Sequence, residues 1–327
     1  MSFCTTVMNR LHHLKQTLPY NLDCICGDQN HEIIILDYNS TDGLDKWIEN
    51  NRSRLPKSIK YFKTTTSDHY KRSHSRNMAM RLASGDIICN LDADNFIGEG
   101  FIDYISKVFS ENQNVFVSPE ENSKSDVFGK ICFTKNAFFE IGGYDEKIEY
   151  YGFEDLELKT RLIEKGLKNI EFNNPDFQRA IQHSEFERIK NEYLFKNLKH
   201  ILIEKNTPYQ SKIVFVLNDN TYESGIVIDD QYNKCDEYIK LLEEKNRYIL
   251  KDNSVENGIL DPILLSDYQI IESKIDQTKL IYFYSQVKNK SFAKTKESIS
   301  SKKRINKNKI GNGVVFAEFD KEHPIIL

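Results

Sequence analysis

The chain has 327 residues, 39% hydrophobic and 12% aromatic, which is enough for a real core in one large domain or two ordinary ones. A formal net charge of −4 gives no overall basic excess, which argues against a free-standing nucleic-acid binder. No apolar run approaches the roughly 20 residues needed to cross a bilayer, and the opening "MSFCTTVMNRLHHLK" lacks a secretory layout, so the expected location is cytoplasmic.

The first half alternates strand-like and helix-like segments. "SFCTTV" (2–7) is a short apolar strand, and "RLHHLKQTLPYNL" has helical spacing at Leu11, Leu14 and Leu18. "EIIILDY" (32–38) is a buried strand, and "STDGLDKWIEN" opens a helix behind a Ser or Thr cap. "IKYFKT" (59–64) is a third strand; "YKRSHSRNMAMRLAS" (70–84) is helical and stops at Gly85. "DIICNL" is the fourth strand, and "EGFIDYISKVFSEN" the next helix. Continuous apolar strands separated by helices predict a doubly wound, mainly parallel α/β sheet. Ligands of such sheets sit beyond the carboxyl ends of the strands, where Thr5, Asp37 and Asp92 are expected.

After residue 110 "VFVSPE" and "KICFTKNAFF" read as further strands. Glu154 to Lys165 reads as a helix with Leu158, Leu162 and Ile163 facing inward and Glu154, Asp155 and Glu157 in its first turn, where acids favour the positive end of the dipole. A helix over 191–205 is expected to close the domain. The remainder, 206–327, reads as a smaller α/β appendage: "SKIVFVLND" a strand, "YNKCDEYIKLLEEKNRYIL" a helix, "KLIYFYSQV" another strand. Segment 288–309 holds nine Lys or Arg and one Glu; it reads as a solvated stretch or as peripheral contact with an anionic surface at the inner membrane face. Cys4, Cys89 and Cys132 lie in apolar runs and Cys24 and Cys26 complete no zinc pattern, so with Cys235 the six cysteines read as reduced thiols.

The chemistry concentrates in "NLDADNF" (90–96). Asp92 and Asp94 share one side if the strand continues, which is costly unless a cation lies between them. Two carboxylates with open positions for water and phosphate suit Mg2+ or Mn2+.

"SHSRNMAMRLASGDIICNLDADNF" resembles the central segment of family 2 glycosyltransferases of the GT-A fold: Arg-Asn, Ala-x-Gly-Asp, an apolar strand, then Asp-x-Asp. "EIIILDYNSTDG" is similar to the family's strand-end nucleotide motif. "IGGYDEKIEYYGFEDLELKTRL" and "IQHSEFERIKNEY" resemble the acceptor-loop and His-Ser elements of β-1,4-galactosyltransferases and chondroitin-synthase-like enzymes. The resemblance covers about residues 2–200 and implies a GT-A, Rossmann-like catalytic domain over 1–205 with an accessory region at 206–327.

The activity it implies is inverting, metal-dependent transfer of a hexosyl or N-acetylhexosaminyl group from a nucleotide sugar, most simply a UDP-sugar, to a saccharide or glycolipid acceptor in glycan or polysaccharide synthesis. It implies Asp155 as catalytic base with Glu154 beside it, and Asp94, Asp92 and His183 around Mn2+ or Mg2+. A sulfur ligand used by the relatives is replaced by Ala180. Thr5, Asn9, Arg10, Asp37, Tyr38, Arg76, Asp92 and Gly143 are the implied nucleotide-sugar contacts; Tyr38 stands where many members have a second Asp. Tyr151, Phe153 and Glu154 are the implied acceptor contacts. The alternatives are a nucleotidyltransferase, against which "TTVMNRLHHLK" offers no glycine-rich phosphate loop, and a non-catalytic nucleotide-sugar-binding module, against which all three acids at 92, 94 and 155 are present.

Overall fold

The computed structural model describes residues 1–25, 30–121, 123, 125–207, 210–229, 248–251, 253–259, 268–294, 305–306 and 310–327. They form two compact units: residues 1–147, 154–182 and 301–327, and residues 148–153 and 183–300. These units do not follow the expected boundary at 205/206. The chain leaves the first unit at 148, returns at 154, leaves again at 183, and comes back for its last residues.

The first unit is built on a nine-stranded sheet. Its parallel centre is β3 (Ile59–Thr64), β2 (Glu32–Tyr38), β1 (Ser2–Val7) and β4 (Ile87–Asn90), in that order. β6 (Cys132–Thr134) runs antiparallel to β4, followed by β5 (Val115–Pro119) and β7 (Lys168–Phe172), which are parallel to each other. The central strands read as unbroken apolar runs because both faces are covered. Phe3, Ile33 and Ile35 point into one core with Leu11, Leu14, Leu18, Ile48 and Ile105, from α1 (Leu11–Ile25), α2 (Leu44–Asn51) and α4 (Phe101–Glu111). Cys4, Ile34 and Leu36 point into the opposite core with Met78, Phe138, Leu158 and Leu162, from α3 (Arg72–Leu82), α5 (Lys135–Glu140) and α6 (Glu154–Glu164).

The opposite edge is closed by the end of the chain. β14 (Val314–Ala317) pairs antiparallel with β3, and β15 (Ile325–Ile326) pairs with β14. The link before β14 is also fastened: His74 Nε2 lies 2.8 Å from the Asn312 carbonyl, and Arg81 donates to the Ile310 carbonyl at 2.8 Å. Asn306 Nδ2 donates to the carbonyls of Gly142 and Tyr144, and Gly311 N donates to Glu146.

Several local expectations are corrected. α2 begins after Gly43, in the left-handed region, without a Ser or Thr side-chain cap. α3 stops at extended Ala83 rather than at Gly85. "KICFTKNAFF" is a three-residue strand followed by α5, capped by the Thr134 hydroxyl accepting from Ala137 N. Ile163 on α6 is exposed, since 158 and 162 already fill the inward stripe.

The second unit is an antiparallel sheet in the order β11 (Tyr248–Leu250), β10 (Thr221–Asp229), β9 (Gln210–Leu217), β8 (Leu198–Thr207), β13 (Gln269–Ile271), with β12 (Glu256–Ile259) also on β10. Its helices are α7 (Glu185–Ile189), α8 (Tyr193–Asn197) and α9 (Lys274–Lys294). The expected helix over 191–205 is only α8; β8 follows, because "LKHILIE" alternates sides and pairs along β9. "KLIYFYSQV" lies within α9 rather than a strand. It is rich in β-formers, but Leu280, Ile281, Phe283, Tyr284 and Val287 are buried along one side of the helix. Of the expected helix at 232–250, residues 231–247 lie outside the described residues and 248–250 are β11. Cys26 and Cys235, and most of the basic segment (295–304 and 307–309), also lie outside them. The described cysteines Cys4, Cys24, Cys89 and Cys132 are free thiols.

Candidate active site

β4 ends at Asn90, so Asp92 and Asp94 stand in the turn that follows rather than on one strand face. One cation beside Asp92 belongs to the protein itself. Arg76, on α3 and only 3% exposed, donates from Nη2 to both Asp92 oxygens at 3.0 and 3.2 Å. Its Nη1 donates to Glu154 at 3.0 Å and Asp155 at 2.8 Å, at the start of α6. One guanidinium therefore joins acids from two segments more than 60 residues apart in sequence. Its planar fork suits that geometry, and burial strengthens each charge-assisted bond.

The neighbours of Arg76 hold it in place. Its guanidinium carbon lies 5.3 Å from the centre of the Tyr144 ring, a cation–π distance. The Tyr144 hydroxyl reaches Asp155 at 3.3 Å. Asn77 grips the backbone of Tyr144 in both directions, accepting from its N–H at 2.8 Å and donating to its carbonyl at 2.9 Å. Asn90 Nδ2 donates to Asp92 at 3.1 Å and to the Gly129 carbonyl at 2.8 Å. A Cβ on Gly129 would lie 2.8 Å from Asp92 Oδ2 and 2.9 Å from Arg76 Nη2, so a methyl there would push those side-chain ends aside. The turn carrying Asp94 is zipped to a second segment: Ile181 N donates to the Asp94 carbonyl at 2.8 Å and Phe96 N to the Arg179 carbonyl at 3.0 Å. Buried Lys130 donates to the carbonyls of Phe96 and Phe177, and desolvation pulls its pKa down to about 8.

Burial pushes the Asp155 carboxyl up to about 6, with Arg76 opposing the rise and Glu154 and Asp92 adding to it. A carboxylate in that range, 17% exposed, is suited to accept a proton near neutral pH.

The implied nucleotide contacts divide. Asp92 and Gly143 lie at or beside the Arg76 cluster, Gly143 with a positive φ against Asn77. Asn9 and Arg10 are half-buried just beyond β1; Asn9 accepts from Thr41 N at 2.7 Å. Thr5, Asp37 and Tyr38 are all buried. Thr5 lies inside β1. Asp37 accepts from Ser40 N at 2.7 Å and the Tyr61 hydroxyl at 2.8 Å, which fixes the turn after β2. The Tyr38 hydroxyl lies 2.8 Å from His74 Nδ1. Arg76 is paired with the carboxylates of Asp92, Glu154 and Asp155. Tyr151, Phe153 and His183 belong to the second unit, whereas Glu154, Asp155, Asp92 and Asp94 belong to the first. Sequence reading missed Asn77, Asn90, Gly129, Lys130 and Tyr144; Asn77, in the "RN" pair, Asn90, in "NLDADNF", and Tyr144, in "GGYDE", lay inside quoted motifs without being assigned a role.

Residues 2–151 match the family model described as glycosyl transferase family 2. Over this stretch the chain is similar to family 2 glycosyltransferases. Residues 116–193, which include the whole Glu154–Asp155 region, match a second model, described as the N-terminal domain of galactosyltransferase. Arg76 and Asp92 lie in the first matched stretch and Asp155 in the second.

Among solved structures, a mannosyltransferase from Pyrobaculum calidifontis in complex with GDP-Man and Mn2+ is 17% identical, with a TM-score of 0.46 over 53% of this chain and 54% of that one. TarS of S. aureus in complex with UDP is 13% identical, with a TM-score of 0.45 over 53% of this chain and 57% of that one. A Drosophila β1,4-galactosyltransferase 7 variant in complex with manganese, UDP-Gal and xylobiose is 14% identical, with a TM-score of 0.41 over 62% of this chain and 87% of that one. The chain spans just over half the length of the first two.

Proposed function

We propose that the chain transfers a sugar from a nucleotide sugar, most simply a UDP-sugar, to a saccharide or glycolipid hydroxyl with inversion at the anomeric carbon. The observation that carries this reading is the convergence of Asp92, Glu154 and Asp155 on buried Arg76, with Asp155 poised as a base. Asp155 would take the acceptor proton as the hydroxyl attacks. Arg76 keeps that carboxylate oriented and prevents burial from holding it protonated at neutral pH. Single displacement with one base inverts the configuration; a glycosidase would need a second carboxyl flanking the bond and no nucleotide.

Asp94, with Asp92 beside it, would hold a divalent cation. Among the described residues no group of three or more His, Cys, Asp or Glu is arranged to bind a metal. Two carboxylates would leave positions open for diphosphate oxygens and water, which Mn2+ or Mg2+ accepts. When bound, that ion offsets charge developing on the leaving diphosphate. His183 is the candidate additional ligand, on the strength of its motif alone.

Among the described residues no helix is long and apolar enough to cross a membrane. Peripheral contact through 288–309 stays a proposal. Its described N-terminal end is engaged, since Lys288 donates to Glu223 at 2.7 Å.

The test is Asp155→Asn, which keeps shape and removes the proton acceptor. Transfer is expected to fall by about 10²–10⁴-fold, with donor affinity by calorimetry unchanged. Near-normal turnover would remove Asp155 from the role of base.

A further inference from the structure

Backbone carbonyls in an irregular turn need partners, and those from 92 to 96, around Asp94, are all captured. Asn95 N donates to the Asp92 carbonyl at 2.9 Å. The Asp94 carbonyl accepts from Ile181 N, and that of Phe96 from Lys130. The two that remain, of Ala93 and Asn95, go to one stripe of α1. Thr17, 1% exposed, donates from its hydroxyl to the Ala93 carbonyl at 2.8 Å, with the His13 carbonyl farther off at 3.3 Å. Asn21, 4% exposed, donates from Nδ2 to the Asn95 carbonyl at 3.0 Å and accepts from Ile97 N at 2.7 Å. Residues 17 and 21 have the i, i+4 spacing of a single helix face. They hold the residue on either side of Asp94.

Helix propensity does not account for this stripe. Thr17 and Asn21 lie in the interior of α1 with Pro19 between them. All three are poor helix formers, and a proline there removes a backbone hydrogen bond of the helix. A local conflict of this kind is expected where a residue serves something other than its own element.

The link from backbone to carboxylate is Asn95. It is fully buried, and its Nδ2 donates to Asp94 Oδ1 at 2.8 Å and to the Asp126 carbonyl at 2.9 Å. A shift of the Asn95 backbone therefore moves the donor that orients the Asp94 carboxylate. Every residue in this set belongs to the first compact unit.

We propose that Thr17 and Asn21 are positioning residues for the divalent cation: through the carbonyls of Ala93 and Asn95 they set where the Asp94 carboxylate stands. The inference rests on the reading of Asp94 as a metal ligand. It gives α1 a part in binding as well as in covering the sheet.

The experiment uses the full chain with Mn2+ and UDP as probes. Electron paramagnetic resonance of free Mn2+ reads the Mn2+ Kd in the presence of UDP. Hydrogen exchange followed by mass spectrometry reads backbone protection over 91–98. Asn21→Leu roughly keeps shape and removes both bonds without adding a charge near Asp94. Its Mn2+ Kd is expected to rise about 10-fold or more, as when a group that orients a metal ligand is lost, and exchange at 91–98 to quicken. Thr17→Val removes one hydroxyl and is expected to raise the Kd about threefold; Thr17→Ser, which keeps the hydroxyl, should leave it at the value of the unmodified chain. This pair is the test if Asn21→Leu does not fold. Quickened exchange with an unchanged Mn2+ Kd overturns the inference and leaves a packing contact. If the unmodified chain binds Mn2+ with UDP and the variants bind it equally well, the metal reading of Asp94 stands and the roles of Thr17 and Asn21 fall. If the unmodified chain itself binds no Mn2+ with UDP, the metal reading falls and takes the inference with it.

Discussion

Arg76 faces Asp92, Glu154 and Asp155 from a buried position, and Arg72 lies 3.7 Å from Glu154 as a second cation. Removing one member of such a group leaves the others buried without compensation. Arg76→Ala is expected to cost about 3–5 kcal/mol in denaturant unfolding. It should also move the acid limb of the activity profile. In the intact protein Asp155 titrates at about 6, so transfer should rise as pH increases through that value. Without Arg76 the only large lowering influence is gone, and the limb should shift to higher pH; a limb that stays near 6 would show that Asp155 is not the titrating base. The sign of the stability effect is opposite to that of an ordinary ion-paired carboxylate. The folded-state pKa of Asp155 lies above its unfolded value, so ionising it costs stability as pH rises from about 4 through 6. Asp155→Asn is therefore expected to leave the thermal midpoint at pH 7.5 unchanged or higher even as it abolishes transfer. A lower midpoint would mean that the pairing with Arg76 outweighs burial. Gly129→Ala is a test of the same cluster without a charge change: the added methyl meets Asp92 and Arg76 at under 3 Å, and transfer should drop with little change in secondary structure by circular dichroism.

At the scale of elements, β14 and β15 cap the edge that β3 would otherwise present to solvent. Val315 is fully buried against the sheet, and Phe319 stacks on Tyr61 at 5.0 Å between ring centres. An exposed edge strand is a template for pairing with another chain. Ending the chain after residue 312 should lower the thermal midpoint by roughly 5–10 °C, the equivalent of about 2–4 kcal/mol for a domain of this size. It should also produce concentration-dependent association by light scattering. A truncated chain that stays monomeric with an unchanged midpoint would show the cap to be dispensable. The link at 305–312 does a second job, because Asn306 and Gly311 brace the loop that carries Gly143 and Tyr144.

For the whole molecule, the two compact units are interleaved in sequence. The donor reading is open to a direct measurement. A ligand that binds only the folded chain raises its stability by about 2.7 kcal/mol at 100 times its Kd. UDP-sugars should raise the thermal midpoint in the presence of Mn2+ and much less after chelation, and Asp94→Ala should erase the difference. A shift independent of metal would remove the cation from the donor site; no shift with any nucleotide would favour a binding module without donor.

The sequence by itself determined the parallel α/β core, because strands covered on both faces must be apolar throughout, and that pattern is local. It also drew attention to the acids at 92, 94, 154 and 155, through the resemblance of their segments to family motifs. It did not reveal that Asp37 and Tyr38 turn inward, since a polar residue at a strand end looks alike whether its partner is Tyr61 or a nucleotide. Nor did it reveal α9, whose run of β-formers reads as a strand, or the return of residues 305–327 to the edge of the first sheet. Arg76 shows the division most clearly: its place in the motif was legible, but its partners come from segments that only the fold brings together, and tertiary burial alone decides which charges it must balance.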